Sequence, residues 1–314
     1  MSGLTDVPGV RVGHATDREA ATGCTVVLGP FRAACDVRGL ATGTRELETL
    51  DPLHIAPRAD AILLTGGSAF GLEAATGVVQ WLEERGAGFD AGVARVPIVP
   101  AAVIFDLGVG RANRRPDAAM GRAACEAATD GPIEEGRVGA GTGATVGKVR
   151  GIEWAMPGGV GTWSVQGPGC TIGALAVVNA VGDVLDAHRR IVAGARGEDG
   201  GFIDTAKMIR DGGLEGDRVG AVLGTRPGQN TTLAVIATDA PLDRVALQVI
   251  ARAAALAMAR RISPAHTTHD GDVVFAAATG AEARQPSPAL LLTLGELAGH
   301  ALEVAIERAV TAQG

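Results

Sequence analysis

The chain has 314 residues, 46% of them hydrophobic and only 3% aromatic with no tyrosine, and a formal charge of −7. That balance argues against nucleic-acid binding, which needs a basic face and stacking aromatics, while the length allows a sizeable core in one large domain or two ordinary ones. No basic-then-apolar leader and no uninterrupted run of about 18 apolar residues signals export or a membrane span, so a cytoplasmic location without membrane partners is expected. Cys24, Cys35, Cys125 and Cys170 are scattered with no Cys-x-x-Cys pair. They read as free thiols, with no metal site, disulfide framework or cofactor implied. Forty-six glycines and few aromatics suggest close-packed backbone layers filled by Val, Leu and Ile.

Over residues 10–38, Gly and Pro punctuate short apolar segments such as Cys24-Thr25-Val26-Val27-Leu28, which read as strands joined by turns. His14 ends the first segment and, with no ligand partner beside it, receives no role. Ala61-Ile62-Leu63-Leu64 reads as a buried strand. Gly66-Gly67-Ser68-Ala69-Phe70-Gly71 then leads into a helix with Leu72, Val78, Val79 and Leu82 on its apolar positions, ending near Gly86. This turn lacks both the dinucleotide spacing and the G-x-S-x-G of a nucleophile elbow, so its glycines read as close packing of helix on strand. Pro97 and Pro100 set irregular extended structure before Val103-Ile104-Phe105-Asp106, and a helix is predicted over 117–128, started by Pro116.

The run Gly139-Ala140-Gly141-Thr142-Gly143-Ala144-Thr145-Val146-Gly147-Lys148 resembles a phosphate loop but has Thr at 142 and Val149 after the lysine, so it reads as a flexible turn with a solvated lysine. Residues 171–178 read as a strand, interrupted at Asn179. Residues 190–216 read as a mobile surface segment around a short amphipathic piece at 205–209. A strand over 232–238 precedes a helix from Pro241 to about 262, expected to bury Leu242, Val245, Val249, Ala253 and Leu256. A second apolar helix follows over 289–310, with Gly295 and Gly299 allowing close approach to a neighbour. Strands followed by helix pairs suggest an α/β fold of stacked sheets between helices.

The chemistry concentrates in Gly228-Gln229-Asn230-Thr231-Thr232-Leu233, a turn running through two hydroxyl residues into a β-branched strand. A hydroxyl needs a base before it attacks a carbonyl, and a chain cut before Thr231 would supply one as the residue's own α-amine, whose ordinary pKa of about 7.7–8.0 leaves a useful neutral fraction. Asp270 and Asp272 stand two apart, so on extended backbone both carboxylates share a face, and two such charges raise one pKa. Asp-Gly is equally a favoured hairpin turn.

These two segments, with Asp6-Val7-Pro8-Gly9-Val10-Arg11-Val12-Gly13-His14, Leu64-Thr65-Gly66-Gly67-Ser68-Ala69-Phe70-Gly71-Leu72 and Ile104-Phe105-Asp106, resemble the self-processing L-aminopeptidase/D-amidase-esterase family and its branch of nylon-oligomer hydrolases. The likeness spans nearly the whole chain. It implies a four-layer αββα sandwich of the N-terminal-nucleophile hydrolase kind, a cut at Asn230-Thr231 into 1–230 and 231–314, and commonly a tetramer. It further implies Thr231 as nucleophile, Lys148 beside it, Asn179 at the oxyanion, Asp270 and Asp272 orienting the threonine, and Gly67, Ser68 and Phe105 near the substrate pocket.

Two departures matter. The family's aminopeptidases carry Ser and Ser-x-Glu where this chain has Thr231 and Asp270-x-Asp272, the nylon-hydrolase form. They also carry a glutamate for the substrate amine and a tyrosine for the oxyanion where Val103 and Phe105 stand, which argues against obligatory recognition of a free amine. The resemblance thus implies an amidase for linear amides of the 6-aminohexanoate-oligomer type. The alternatives are an aminopeptidase or D-amidase/esterase, an ornithine-type acyltransferase, and an unprocessed binding protein.

Overall fold

The computed structural model describes residues 3–212 and 230–312. Among the described residues nine strands are linked in one sheet, eight of them along a single path: β1 (Arg11–Asp17), β2 (Thr22–Val37), β3 (Thr44–Arg45), β4 (Ala59–Thr65), β5 (Ala101–Val103), β6 (Gly159–Gly167), β7 (Cys170–Asn179), β8 (Thr231–Thr238) and β9 (Val273–Ala278). Their order is β6-β7-β8-β9-β2-β4-β5-β3, with β1 also on β2. The first half of β2 pairs with β1 and β4 and its second half with β9, with a register shift between Leu28 and Phe31. One strand therefore belongs to two faces, and the path folds into two stacked layers.

Period-2 alternation then assigns each side chain to a layer. Leu233, Val235, Val273, Phe275, Leu175 and Val177 meet Val27, Phe31, Ile62 and Leu64 between the sheets. Ala234, Ile236, Val274, Ala276, Ala174 and Ala176 face helices α4 (Arg244–Arg261) and α5 (Pro288–Thr311). On the far side, Val26, Leu28, Ala61 and Leu63 pack under α1 (Ala74–Glu83) and α2 (Ala118–Glu126). The expected four-layer αββα sandwich is the observed fold. The short helix α3 (Thr205–Arg210) lies outside these layers.

Glycine sets the spacing between layers. A Cβ on Gly161 of β6 would lie 2.0 Å from the Ala305 carbonyl of α5, so the helix rests directly on the strand backbone. Between α4 and α5, a Cβ on Gly295 would sit 3.2 Å from the Ala253 Cβ, the close approach expected of that glycine. Although α5 is long and apolar enough to pass a membrane-span test by length and composition, its Leu294, Ala298, Leu302, Ala305 and Ile306 are buried in the core.

Several expectations are corrected. The segment 10–38 holds one seven-residue and one sixteen-residue strand, because β2 passes Gly29 and Pro30 without breaking. Helix α4 buries Ala246, Leu247, Ile250, Ala251, Ala254 and Met258, leaving Val245, Val249 and Leu256 at 53%, 42% and 59% exposure. With alanine on most of the buried face, hydrophobicity alone pointed to the wrong side of the helix. The described part of the 190–216 segment does lie at the surface, with residues 198–202 and 209–212 exposed, but it is anchored: Ala193, Ala195 and Thr205 are buried, and the buried Asp183 carboxylate accepts from Ala195 N, Thr205 N and Thr205 Oγ1. Residues 213–216 of it, with Gly228 and Gln229, lie outside the described residues. The glycine-rich run before Lys148 is a buried 3-10 turn over Gly139–Gly141 leading to a two-residue strand, and Lys148 itself is buried.

Candidate active site

The site forms where β7 ends and β8 begins. Antiparallel pairing sets Asn179, the last residue of β7, opposite Thr231, the first of β8. Parallel pairing of β8 with β9 continues outward as a bridge between Asn230 and Asp270. Three segments distant in sequence thus meet at one sheet end, and all five candidate catalytic residues, Thr231, Asn179, Lys148, Asp270 and Asp272, are buried there.

Thr231 Oγ1 donates to the Asn230 carbonyl oxygen at 2.5 Å, and Gly271 N–H donates to the same oxygen at 2.9 Å. The Asn230 side chain donates from Nδ2 to the His269 carbonyl at 3.4 Å. The hydroxyl of the candidate nucleophile therefore lies against the very carbonyl at which the chain would be cut.

Lys148 Nζ donates to both the backbone oxygen and Oδ1 of Asn179, at 2.9 and 2.8 Å. Thr145 N–H adds a second donor on Oδ1 at 3.0 Å. Two donors on one end fix which way the amide faces, so Nδ2 points the other way, where it donates to the Phe105 carbonyl at 3.2 Å. Phe105 enters the site through its backbone carbonyl. Burial pulls the Lys148 pKa down to about 7, against the upward pull of Asp270 and Asp106. Near neutral pH this lysine divides between ammonium and amine, the range in which a side chain can both give and take a proton.

The two aspartates do not aim jointly at Thr231 through an extended strand, as their spacing suggested, because β9 begins only at Val273. Asp270 Oδ2 accepts from Thr267 N and Oγ1 at 2.9 and 2.5 Å, and its pKa is raised, first by burial and then by the Asp272 charge. Asp272 Oδ1 accepts from Thr232 N at 2.6 Å, while Oδ2 accepts from His266 N and Nδ1 at 3.1 and 2.8 Å. Asp272 thereby holds the backbone next to the nucleophile.

His266 was not anticipated. Its second ring nitrogen faces the Ala255 carbonyl at 3.0 Å, so both nitrogens face acceptors and the protonated ring satisfies both. Burial would lower its pKa, but the bonds to Asp272 and Ala255 prevail and the net shift is upward. A histidine outside any motif left no signal in the sequence. Asp106 also went unassigned, although its segment stood out: Oδ1 accepts from Gly67 N at 2.8 Å and Oδ2 from Thr22 Oγ1 at 2.6 Å. It pins the Gly67 turn, where Gly67 has φ +78° and Ser68 +53°, and Ser68 N–H donates to the Ile104 carbonyl. Burial raises the Asp106 pKa. His14 sits apart from the site, its Nδ1 on Thr25 Oγ1 at 2.9 Å.

Residues 2–313 match peptidase family S58. The chain belongs to that family. It is 46% identical over 301 residues to an uncharacterized aminopeptidase of Mycobacterium bovis, covering 91% of this chain and 84% of the relative. It is 36% identical over 276 residues to a 6-aminohexanoate-oligomer endohydrolase of Kocuria sp., covering 87% of this chain and 74% of the relative. Among solved structures, a Burkholderia sp. beta-aminopeptidase superposes with TM-score 0.71 at 26% identity, over 98% of this chain and 86% of that one. The Ochrobactrum anthropi L-aminopeptidase D-Ala-esterase/amidase, described as a variant of the Ntn hydrolase fold, superposes with TM-score 0.75 at 20% identity, over 98% and 85%. This S58 chain is an amide-bond hydrolase with the Ntn hydrolase fold.

Proposed function

We propose that the protein is made as one precursor, cuts itself between Asn230 and Thr231 into residues 1–230 and 231–314, and hydrolyses amides with the freed Thr231. The observation carrying this reading is the 2.5 Å approach of Thr231 Oγ1 to the Asn230 carbonyl oxygen, inside a buried cluster of ionisable groups. In turnover the new α-amine takes the hydroxyl proton, Thr231 Oγ1 attacks the substrate carbonyl, and water clears the acyl-enzyme. Lys148, in its ammonium form, keeps the amine neutral by its positive charge and holds the Asn179 amide in one orientation. Asn179 Nδ2 holds the oxyanion, Asp272 and Asp270 position the threonine, and Gly67, Ser68 and Phe105 border the substrate.

The substrates proposed are linear amides of the 6-aminohexanoate-oligomer type, supported by the likeness to the Kocuria enzyme and by Thr231 with Asp270-x-Asp272. The likeness to the mycobacterial aminopeptidase favours a second reading, cleavage after a free N-terminal residue. At the position of the amine-binding glutamate, however, this chain has Val103, a buried apolar residue ending β5. A cytoplasmic tetramer completes the proposal.

Intact mass of the purified protein tests the maturation step. Two fragments that join at Asn230-Thr231 are expected, and a Thr231→Ala chain should stay whole and inactive. An unbroken wild-type chain that hydrolyses amides would refute the reading. Comparing free-amine and N-blocked peptides with a 6-aminohexanoate oligomer decides the substrate. Cleavage confined to free-amine peptides would replace the oligomer reading by the aminopeptidase one.

A further inference from the structure

We infer that the backbone N–H of Gly271 is the oxyanion donor for self-cleavage, and that the Asp270-Gly271-Asp272 segment serves to hold it in place. This rests on the self-cleavage reading and adds to it a catalytic group. In the cut, Thr231 Oγ1 bonds to the Asn230 carbonyl carbon, and the bond from that carbon to Thr231 N breaks. The hydroxyl proton ends on the departing amine, leaving an ester that one water molecule hydrolyses to the Asn230 carboxylate and the Thr231 hydroxyl. In the tetrahedral intermediate the negative charge sits on the Asn230 oxygen. Gly271 N–H already lies 2.9 Å from that oxygen.

A ladder hydrogen bond of the same length recurs throughout any sheet. What differs here is that the acceptor belongs to a carbonyl whose own neighbour carries the attacking hydroxyl. A hydrogen bond to a developing anion is about twice as strong as one to a neutral carbonyl, so the contact strengthens as the reaction proceeds and lowers the barrier. It does so without reorganisation only if the donor is fixed beforehand. Both neighbours of Gly271 are fixed. Asp270 is held through its side chain by Thr267 and through its carbonyl by Ala41 N–H at 3.0 Å. Asp272 is held through its side chain by Thr232 and His266 and through its carbonyl by Arg38 N–H at 3.0 Å.

The residue between them has no room for a side chain. A Cβ on Gly271 would lie 2.8 Å from Thr231 Oγ1 and 2.7 Å from the Ala41 carbonyl. Glycine thus lets the donor strand approach the scissile carbonyl and the nucleophile together, and the two flanking aspartates are positioning residues for its N–H.

The test is cell-free translation of the full chain with glycolic acid in place of Gly271, which exchanges the one N–H for an ester oxygen. Cleavage is followed on a denaturing gel. A roughly hundred- to thousand-fold slower cut than in the wild type is expected, the effect of losing one oxyanion donor, in a chain that keeps wild-type resistance to trypsin. A cut within threefold of the wild-type rate would overturn the assignment. If the ester chain loses trypsin resistance, amide hydrogen exchange of the uncut Thr231→Ala chain decides instead: strong protection of the Gly271 N–H would support a donor fixed on the Asn230 carbonyl, and exchange at the rate of a free amide would overturn the assignment. A wild-type chain that stays whole under the same translation would overturn the self-cleavage reading itself, and this assignment with it.

Discussion

Replacing Lys148 by methionine should change how stability depends on pH. Lys148 is buried, and its folded pKa of about 7 lies well below the ordinary 10.5 of a lysine. Between those values the unfolded chain binds a proton that the folded chain does not, so stability rises with pH at up to about 1.4 kcal/mol per unit. Below pH 7 both states are protonated and this contribution is flat. Summed over the window the effect is on the order of a few kcal/mol, a large share of the ~5–15 kcal/mol typical of a domain. The assay is urea unfolding of Thr231→Ala and of Thr231→Ala/Lys148→Met, both single uncut chains, from pH 6 to 10. Groups that do not interact with Lys148 cancel in the difference, which leaves its charge partners Asp270 and Asp106 as the other contributors. The stability of the lysine chain should gain on that of the methionine chain as pH rises from 7, and parallel curves would refute the argument that burial governs Lys148. At pH 6 the methionine chain escapes the cost of the buried charge but leaves the Asn179 oxygens short of a donor, worth about 1–3 kcal/mol in the other direction.

Asp272→Asn keeps the shape but removes the charge bonded to Thr232 N and His266; a loss of about 1.5–3 kcal/mol is expected, and an unchanged melting temperature would contradict the clamp. Gly161→Ala should destabilise by at least ~1–3 kcal/mol because its Cβ meets the Ala305 carbonyl at 2.0 Å, read as a lowered urea midpoint in the Thr231→Ala background. In that same background Leu247→Ala should cost about 2–5 kcal/mol, while Leu256→Ser should stay within about 0.5 kcal/mol, since Leu247 is buried and Leu256 is 59% exposed. The reverse order would mean that α4 packs by the face hydrophobicity first suggested.

Much of the layered fold was legible because strands such as Ala59–Thr65, Cys170–Asn179 and Thr231–Thr238 are rich in β-branched residues or alanine, whereas β6, GVGTWSVQG, carried no such signal. Its helix starts were equally plain: the predicted 117–128 helix runs over Ala118–Glu126 with Asp117 as its cap, accepting from Met120 N. Helix faces were less so, since where alanine fills most of the buried face of α4 the larger Val245, Val249 and Leu256 drew the hydrophobic stripe to solvent. Within the site, Thr231, Asn179, Lys148 and the aspartates could be named from separated motifs. His266, Asp106 and Thr267 could not, because they act by holding other residues in place, His266 on Asp272 and Ala255, Asp106 on Gly67 and Thr22, and Thr267 on Asp270, and no motif announces such contacts.

The sequence by itself determined the layered α/β class, the strands near 61–64, 171–178 and 232–238, and which polar side chains have chemistry to offer, for these follow from local sterics and from the properties of single residues. Only the tertiary structure decided their partners. Asp272 binds backbone beside the nucleophile, Lys148 grips Asn179 from within the core, and Gly271 meets the Asn230 carbonyl. Those pairings depend on strand register, which is fixed when both faces of a sheet are buried at once and a slip of one residue would send every core side chain into the wrong layer.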